Sequence, residues 1–286
     1  MSLVESIAER VKEKPIPSLV AFELLKVIEN EDHSLKEVVR LVENDASLTS
    51  EVLKVANSAA FYRGTPVTTV NRALLLMGEM MVVGVAICAS TSIIYHSPLE
   101  GYESAAGEMW DHSLRSAIAA RELTRYSKKS ISPALAFTAG LLHDIGKAVI
   151  SEFLVGHTRT MTELCANGGA ADYLEAERNM VGTDHTQVGY LLAQHWQLPE
   201  VLCLVIRDHH RPSQTKEEHK TLVHTVHLAD LVSMLGGAGT GADSLAYKVD
   251  EESIDHFKIT KDDLNWILLK VQEDFLVLKE SLLVNA

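Results

Sequence analysis

The residues best suited to chemistry lie between positions 108 and 230. The segment His143-Asp144-Ile145-Gly146-Lys147 sets an imidazole beside a carboxylate at the end of an apolar stretch. Such a pair offers a nitrogen lone pair and a carboxylate able to bridge two cations. Mixed N/O donors suit Fe, Mn, Zn or Co rather than Ca, which favours all-oxygen shells. Upstream, His112 follows Asp111 and shares a helix face with Glu108, one turn before it. Downstream come His185 in GTDHTQVG, the adjacent His209 and His210, and Asp230 in HLADLV. A lone histidine on an apolar face is usually a hydrogen-bonded core residue, so the weight rests on the ordered series. Two cations about 3.5–4 Å apart can share a bridging hydroxide and clamp a phosphodiester for in-line attack. That chemistry needs no serine or cysteine nucleophile, and the chain has neither a GxSxG motif nor a cysteine-centred signature. His33, His96, His157, His195, His219, His224 and His256 stand outside that series. His227, one turn before Asp230, is placed either to orient a ligand or simply to pack.

These side chains need helices to position them, and the periodicity supplies little else. Leu19, Phe22, Leu25 and Ile28 keep one face apolar after Ile16-Pro17-Ser18. Ser34 is placed to cap LKEVVRLVEND, with Glu37 completing a capping box. Ser47 precedes LTSEVLKVANSAAF, and Thr69 caps a long apolar helix after the RGTP turn. That helix, Leu74 to Ile94, approaches the length of a membrane span, but Glu79 and the Ser90–Ser92 end mark it as a buried core helix. Ser132 as N-cap and Pro133 at the first helical position open ALAFTAGLLHDIG, with Gly146 ending or bending it. Further helices are expected over 171–180 and 185–196, with Leu198-Pro199 opening another that ends in RDHH. The glycine-rich GGAGTGA (236–242) lacks the Lys-Ser/Thr of a P-loop and reads as a flexible linker.

The expected fold is therefore all-α. The Gly/Ser/Pro-rich stretch 95–107 marks a boundary between an N-terminal helical lobe (1–97) and a second helical lobe (98–286) packed on it. Lys plus Arg number 26 against 39 Asp plus Glu, a net charge of −13. So acidic a surface argues against non-specific nucleic-acid or membrane binding. Cys88, Cys165 and Cys203 form no CxxC pair and are expected as reduced core thiols. MSLVESIAERVKEK lacks a signal-peptide pattern, so a cytoplasmic location is expected.

The assembly HDIGK, with a histidine upstream, a His-His pair downstream and a later helical Asp, resembles the HD superfamily of metal-dependent phosphohydrolases. The order of ligands resembles its HD-GYP branch, which cleaves cyclic di-GMP. That resemblance implies a first metal on His112, His143, Asp144 and Asp230. It implies a second on His185, His209 and His210, bridged by Asp144. It also implies room for a third ion at Glu108, and a substrate phosphate facing Lys147. The N-terminal lobe is more specific. Asp45-Ala46-Ser47-Leu48, Leu53, Ala56-Asn57-Ser58 and Phe61-Tyr62 resemble the HDOD family (HD-related output domain) of bacterial signalling. MWDHSLRSAIAA, AGLLHDIGK, DHTQVGYLLAQHWQLP and IRDHHRP continue the match over roughly residues 10–235. Within the resemblance, Asn57 and Ser58 read as backbone caps, and Trp110 and Trp196 as core anchors.

Many HDOD proteins have lost HD ligands and do not catalyse; here every ligand position is filled. The HD-GYP branch carries a GYP element after its His-His pair, whereas this chain runs HHRPSQTKEEHK, so cyclic di-GMP specificity does not carry over. Three readings follow. One is a regulator with a di-metal site, Fe or Mn ahead of Zn or Co, binding a phosphorylated small molecule or a signalling protein. Another is a phosphohydrolase acting on a nucleotide or cyclic dinucleotide, with Asp144 and Lys147 catalytic and Arg115 either a phosphate contact or a surface charge. The third is an adaptor whose polar core is metal-free.

Overall fold

The computed structural model describes residues 2–14, 20, 23–24, 26–27, 30, 32–57, 64–79, 82, 85–86, 89 and 96–283, the last four without side chains. Among them are thirteen α-helices and no strand. The expected all-α class is what is observed.

Local sequence explains where the early helices start and stop. α1 (Leu3–Glu13) opens on a reciprocal Ser2–Glu5 capping box. α2 (Leu35–Glu43) is capped by Ser34 through the Lys36 amide. α3 (Ala46–Ala56) starts on Asp45, whose carboxylate accepts from the Ser47 and Leu48 amides. At its end the Asn57 side chain donates to the carbonyls of Leu53 and Val67 and accepts from the Val67 amide, all within 2.8 Å. Asn57 therefore staples α3 to the approach of α4 (Val70–Met77), as the capping reading expects. Ser58, Phe61 and Tyr62 lie outside the described residues, as does much of the helix expected over 19–29.

Thr69 caps α4 as expected, but the long helix predicted from Leu74 onward is interrupted. Gly78 sits at φ +82°, left-handed backbone that ends α4 at Met77. Its apolar composition showed no break because glycine is a neutral letter in a hydrophobic run.

Nine helices build the rest: α5 (Glu108–Leu123), α6 (Pro133–Leu142), α7 (Lys147–Leu154), α8 (Thr158–Ala166), α9 (Tyr173–Val181), α10 (His185–His195), α11 (Glu200–Asp208), α12 (Glu217–Leu235) and α13 (Lys261–Leu283). Ser132 and Pro133 cap and start α6 as expected. α5 is the central helix, packed on α6, α12 and α13. Its approach to α6 is set by Gly140, where a Cβ would come within 2.8 Å of the Ser116 carbonyl. α1 packs on α7 and α10, and α13 reaches from α5 to α3. Pro133–Leu154 has the length and apolarity to cross a membrane, but 89% of its most apolar window is buried inside the fold. Trp110 and Trp196 are buried, in keeping with core anchors. Cys203 is buried and Cys165 half-buried, both unoxidised, while Cys88 lies outside the described residues.

Candidate metal centre

Three helix ends and two helix interiors converge on Asp144. His112 comes from α5, and His143 and Asp144 from the turn after α6. His185 opens α10, His209 and His210 follow α11, and Asp230 lies within α12. All seven are buried, between 0 and 6% exposed.

Asp144 turns one oxygen to each of two donor groups. Its Oδ2 lies 3.6 Å from His112 Nε2 and 3.5 Å from His143 Nε2. Asp230 Oδ1 is 3.1 Å and 3.6 Å from the same nitrogens, which are themselves 3.4 Å apart. Four N/O donors holding one cation at about 2.1 Å would stand roughly 3.4 Å from one another. The observed separations have that size. On the other side, Asp144 Oδ1 is 3.4 Å from both His185 Nε2 and His209 Nε2. Together with His210, these atoms fall within 4.8 Å of one another.

The tautomers are fixed from behind. His112 Nδ1 donates to the Ala238 carbonyl, His143 Nδ1 to Gly140 and His209 Nδ1 to Ile206, at 2.7–3.0 Å. Carbonyl oxygens only accept, so each Nδ1 carries a proton, which leaves Nε2 as the inward-facing atom able to coordinate. His185 Nδ1 donates to Glu177 at 3.0 Å. Asp144 Oδ1, His185 Nε2, His209 Nε2 and both nitrogens of His210 are buried with no hydrogen-bond partner. Orphaned buried polar atoms are costly in a folded core, and a cluster of them facing one point fits a cation.

The electrostatics agree. Burial pushes the Asp144 and Asp230 carboxyls up, but the surrounding imidazoles, with Lys147 beside Asp144, outweigh it and hold both well below the usual carboxylate range. Burial pushes His209 down to about 4 and holds His210 well below the usual imidazole value. His143 and His185 are raised, because nearby carboxylates outweigh the effect of burial. A cation bound there displaces their protons, so its uptake strengthens as pH rises.

Other sequence expectations fare differently. Glu108 does not join either donor group. It is exposed, and its carboxylate accepts from the Ala105 amide at 2.8 Å and the Ser104 hydroxyl at 3.1 Å. An anion is favoured at that helix start, and the one-turn spacing to His112 could not reveal this use. Lys147 is fully buried, with Nζ on Asp144 Oδ2 (2.7 Å), Thr240 Oγ1 (2.9 Å) and Asp243 Oδ2 (2.6 Å). Three donors meet three acceptors, so Lys147 neutralises the centre and has no proton left for a substrate phosphate. Arg115 points away, its guanidinium 3.7 Å over the Phe275 ring and donating to Gln272.

The segment 236–242 is not a linker. Ala238 supplies the carbonyl for His112, and buried Thr240 holds Lys147. Gly241, at φ +115°, lies so close to the Tyr102 carbonyl that a Cβ would meet it at 2.1 Å. Glycine here permits close packing.

Sequence reasoning missed Glu177, Asp243 and Tyr247. Glu177 is wholly buried, accepts Tyr102 Oη at 2.6 Å and the His185 amide at 2.8 Å, and orients the His185 ring. Tyr247 stacks on His210 with ring centres 3.8 Å apart and donates to Asp243 at 2.6 Å. His227 takes the orienting alternative: its Nδ1 donates to the His209 carbonyl at 2.8 Å, and its Nε2 accepts from the Asp250 amide at 3.0 Å. Removing such a partner commonly weakens metal affinity by about 10–100-fold. Glu177→Gln is therefore expected to weaken the His185 side selectively, lowering the affinity of one of two Mn(II) equivalents in a competition titration. Equal loss of both equivalents would refute that role.

His224 gives a pH expectation away from these ligands. It is buried, stacks on His256 at 4.0 Å and bonds Ser253 Oγ at 2.7 Å. Burial lowers it from 6.5 to about 4. As pH falls through 6.5 the unfolded chain takes up a proton that the folded protein refuses until about pH 4, so stability is lost across that window. The urea midpoint of the wild type should fall more between pH 7.5 and 5 than that of His224→Gln; parallel curves would contradict this.

The HDOD domain model matches residues 15–212. A curated relative, an uncharacterized protein of Treponema pallidum (strain Nichols), is 27% identical over 230 residues, 80% of this chain and 44% of the relative's length. The chain thus spans less than half of that relative. An HDOD domain protein of unknown function from Geobacter sulfurreducens superposes with TM-score 0.71 at 20% identity, covering 98% of both chains. A candidate phosphohydrolase from Shewanella amazonensis SB2B gives 0.67 at 24%, covering 96% of this chain and 97% of that one. A candidate signal transduction protein from Marinobacter aquaeolei VT8 gives 0.74 at 18%, covering 98% of this chain and 64% of that one. These likenesses establish the shared helical fold. With its motifs in order and most of its length matched, this chain belongs to the HDOD domain family.

Proposed function

We propose that this chain is a signalling regulator of the bacterial cytoplasm whose buried centre holds two divalent transition-metal ions. One is assigned to His112, His143, Asp144 and Asp230, the other to Asp144, His185, His209 and His210. Iron or manganese is favoured over zinc or cobalt, because the shells mix imidazole with carboxylate and contain no thiolate. In this reading the metal centre binds a phosphorylated small molecule or supports a surface for a signalling protein. The carrying observation is the set of orphaned donor atoms turned toward Asp144 from helices far apart in sequence. This reading leaves Glu108 out of the centre, because its carboxylate accepts from the Ala105 amide.

A second reading, a metal-dependent phosphohydrolase, is favoured by one feature: Asp144 presents separate oxygens to the two donor groups, the arrangement a bridged metal pair needs. When bound, such a pair supplies Lewis acidity and a hydroxide nucleophile; Asp144 and Asp230 would hold it, and Lys147 would balance charge behind it.

Metal analysis after purification without chelator tests the centre, and turnover of phosphomonoesters, phosphodiesters and cyclic dinucleotides separates the two readings. At a free metal concentration 100 times Kd, bound metal stabilises by about 2.7 kcal/mol. Chelation is therefore expected to lower Tm by about 5–10 °C, with recovery on adding Mn(II). A Tm indifferent to chelator and Mn(II), with no copurifying metal, would defeat the proposal.

A further inference from the structure

We propose that a cleft beside His210 is the entry and binding site for a phosphate monoester of about mononucleotide size. It rests on the metal reading above for its depth, but its walls are separate residues. The cleft has a volume of about 320 Å³, and His210, Arg211, Ser213, Lys248, Asp172 and Asp250 are among the residues that line it. That is the small end of ligand clefts, suited to a mononucleotide rather than a dinucleotide. His210 is also the most exposed of the seven candidate ligands, at 6%.

Three observations point to an anion. First, neither ring nitrogen of His210 has a partner, although the ring is buried and held flat against Tyr247. One nitrogen can serve a cation. The other then carries a proton and needs an acceptor, which no described residue provides. His210 lines the cleft, and a phosphate seated there is the acceptor the proposal assigns to that nitrogen.

Second, the walls carry cations with capacity left. Lys248 is exposed and its ammonium pairs with no carboxylate among the described residues. Arg211 lies next to His210, its side chain 39% exposed, and only one of its nitrogens approaches a carboxylate, Asp172 at 3.5 Å. Lys147, by contrast, has all three donors engaged.

Third, the two acidic residues of the cleft are already satisfied. Asp250 accepts from the Ser213 amide and hydroxyl and the Glu252 amide, at 2.6–3.2 Å. Asp172 caps α9 through the Glu175 amide at 2.9 Å. A phosphate in the cleft therefore lies beside the His210 ring with two cations, Lys248 and Arg211, among the lining residues.

The test is calorimetric titration of the Mn(II)-loaded full chain with inorganic phosphate, AMP and adenosine, alongside Lys248→Ala and Arg211→Ala. Phosphate and AMP are expected to bind and adenosine not to. Loss of one charged donor should weaken AMP by about ten-fold. Metal content should be unchanged in Lys248→Ala, whose side chain is exposed. Failure of phosphate and AMP to bind, binding unaffected by both substitutions, or equal binding of adenosine would each overturn the cleft assignment. Metal analysis of the same samples reports separately on the metal reading: bound metal with no phosphate binding sinks the cleft alone. Phosphate binding that needs Lys248 in a metal-free protein sinks the metal reading and leaves the cleft standing.

Discussion

Asp144→Asn is expected to abolish retention of both metal ions at once. Its two oxygens serve different neighbours, Oδ2 facing His112 and His143 and Oδ1 facing His185 and His209, all at 3.4–3.6 Å. An amide keeps the shape but removes the negative charge, and its NH2 cannot coordinate. Loss of even an orienting partner costs about 10–100-fold in affinity, so loss of the shared ligand should cost about 100-fold or more at each position. Asp230→Asn removes a ligand from one group only and should spare the His185 side. The check is metal content per chain, with the Mn(II)-dependent rise in Tm as a second readout. Asp144→Asn should lack both signals, whereas Asp230→Asn should keep about half of the metal. Equal metal content in wild type and Asp144→Asn would contradict the shared role.

Gly146→Ala is expected to be strongly damaging, to stability and to metal binding together. Gly146 lies between the ligand pair His143-Asp144 and α7, with ordinary φ of −64°, so its backbone does not require glycine. Space does. A Cβ there would fall 1.9 Å from the His185 carbonyl and 2.5 Å from the Gly189 amide, both backbone atoms of α10. Relief requires α10 to move away, and His185 moves with it. Overpacking of this kind costs about 3 kcal/mol, the upper end of its usual range, and the displaced ligand should weaken metal binding as well. Gly156→Ala is a useful contrast: its Cβ would meet nothing within 4 Å, and its φ of +83° makes any loss one of backbone strain alone. A fall in the urea midpoint and in metal content together for Gly146→Ala, with only the former for Gly156→Ala, is the expected pattern. Unchanged stability of Gly146→Ala would show that α7 and α10 are not held at this distance.

Most of the candidate ligand histidines could be picked out of the sequence because they stand at a local landmark. His143 and Asp144 end an apolar helix, His185 follows the Asp184 cap, and His209 and His210 follow α11. The all-α class was readable for the same reason, since helical spacing and Ser, Thr or Asp caps repeat along the chain. The residues that orient the ligands carried no such mark. Glu177 reaches His185 only because α9 folds back over Tyr102, and nothing in its eight-residue separation from His185 signals that contact. Asp243 and Thr240 sit in or beside a glycine-rich run whose composition reads as mobile. There Gly241 instead lets the backbone press against Tyr102. Glu108 and Lys147 show the converse error. Both lie at the expected spacing, but spacing cannot tell a carboxylate drawn to its own helix start, or an ammonium saturated by Asp243, from groups facing a ligand.

The account turns on whether the orphaned atoms around Asp144 face cations. Crystals of protein grown with Mn(II), with diffraction recorded on both sides of the manganese edge, measure this directly. Two anomalous peaks are predicted, one among His112, His143, Asp144 and Asp230 and one among Asp144, His185, His209 and His210. An ordered map of these side chains with no anomalous density between them would contradict it.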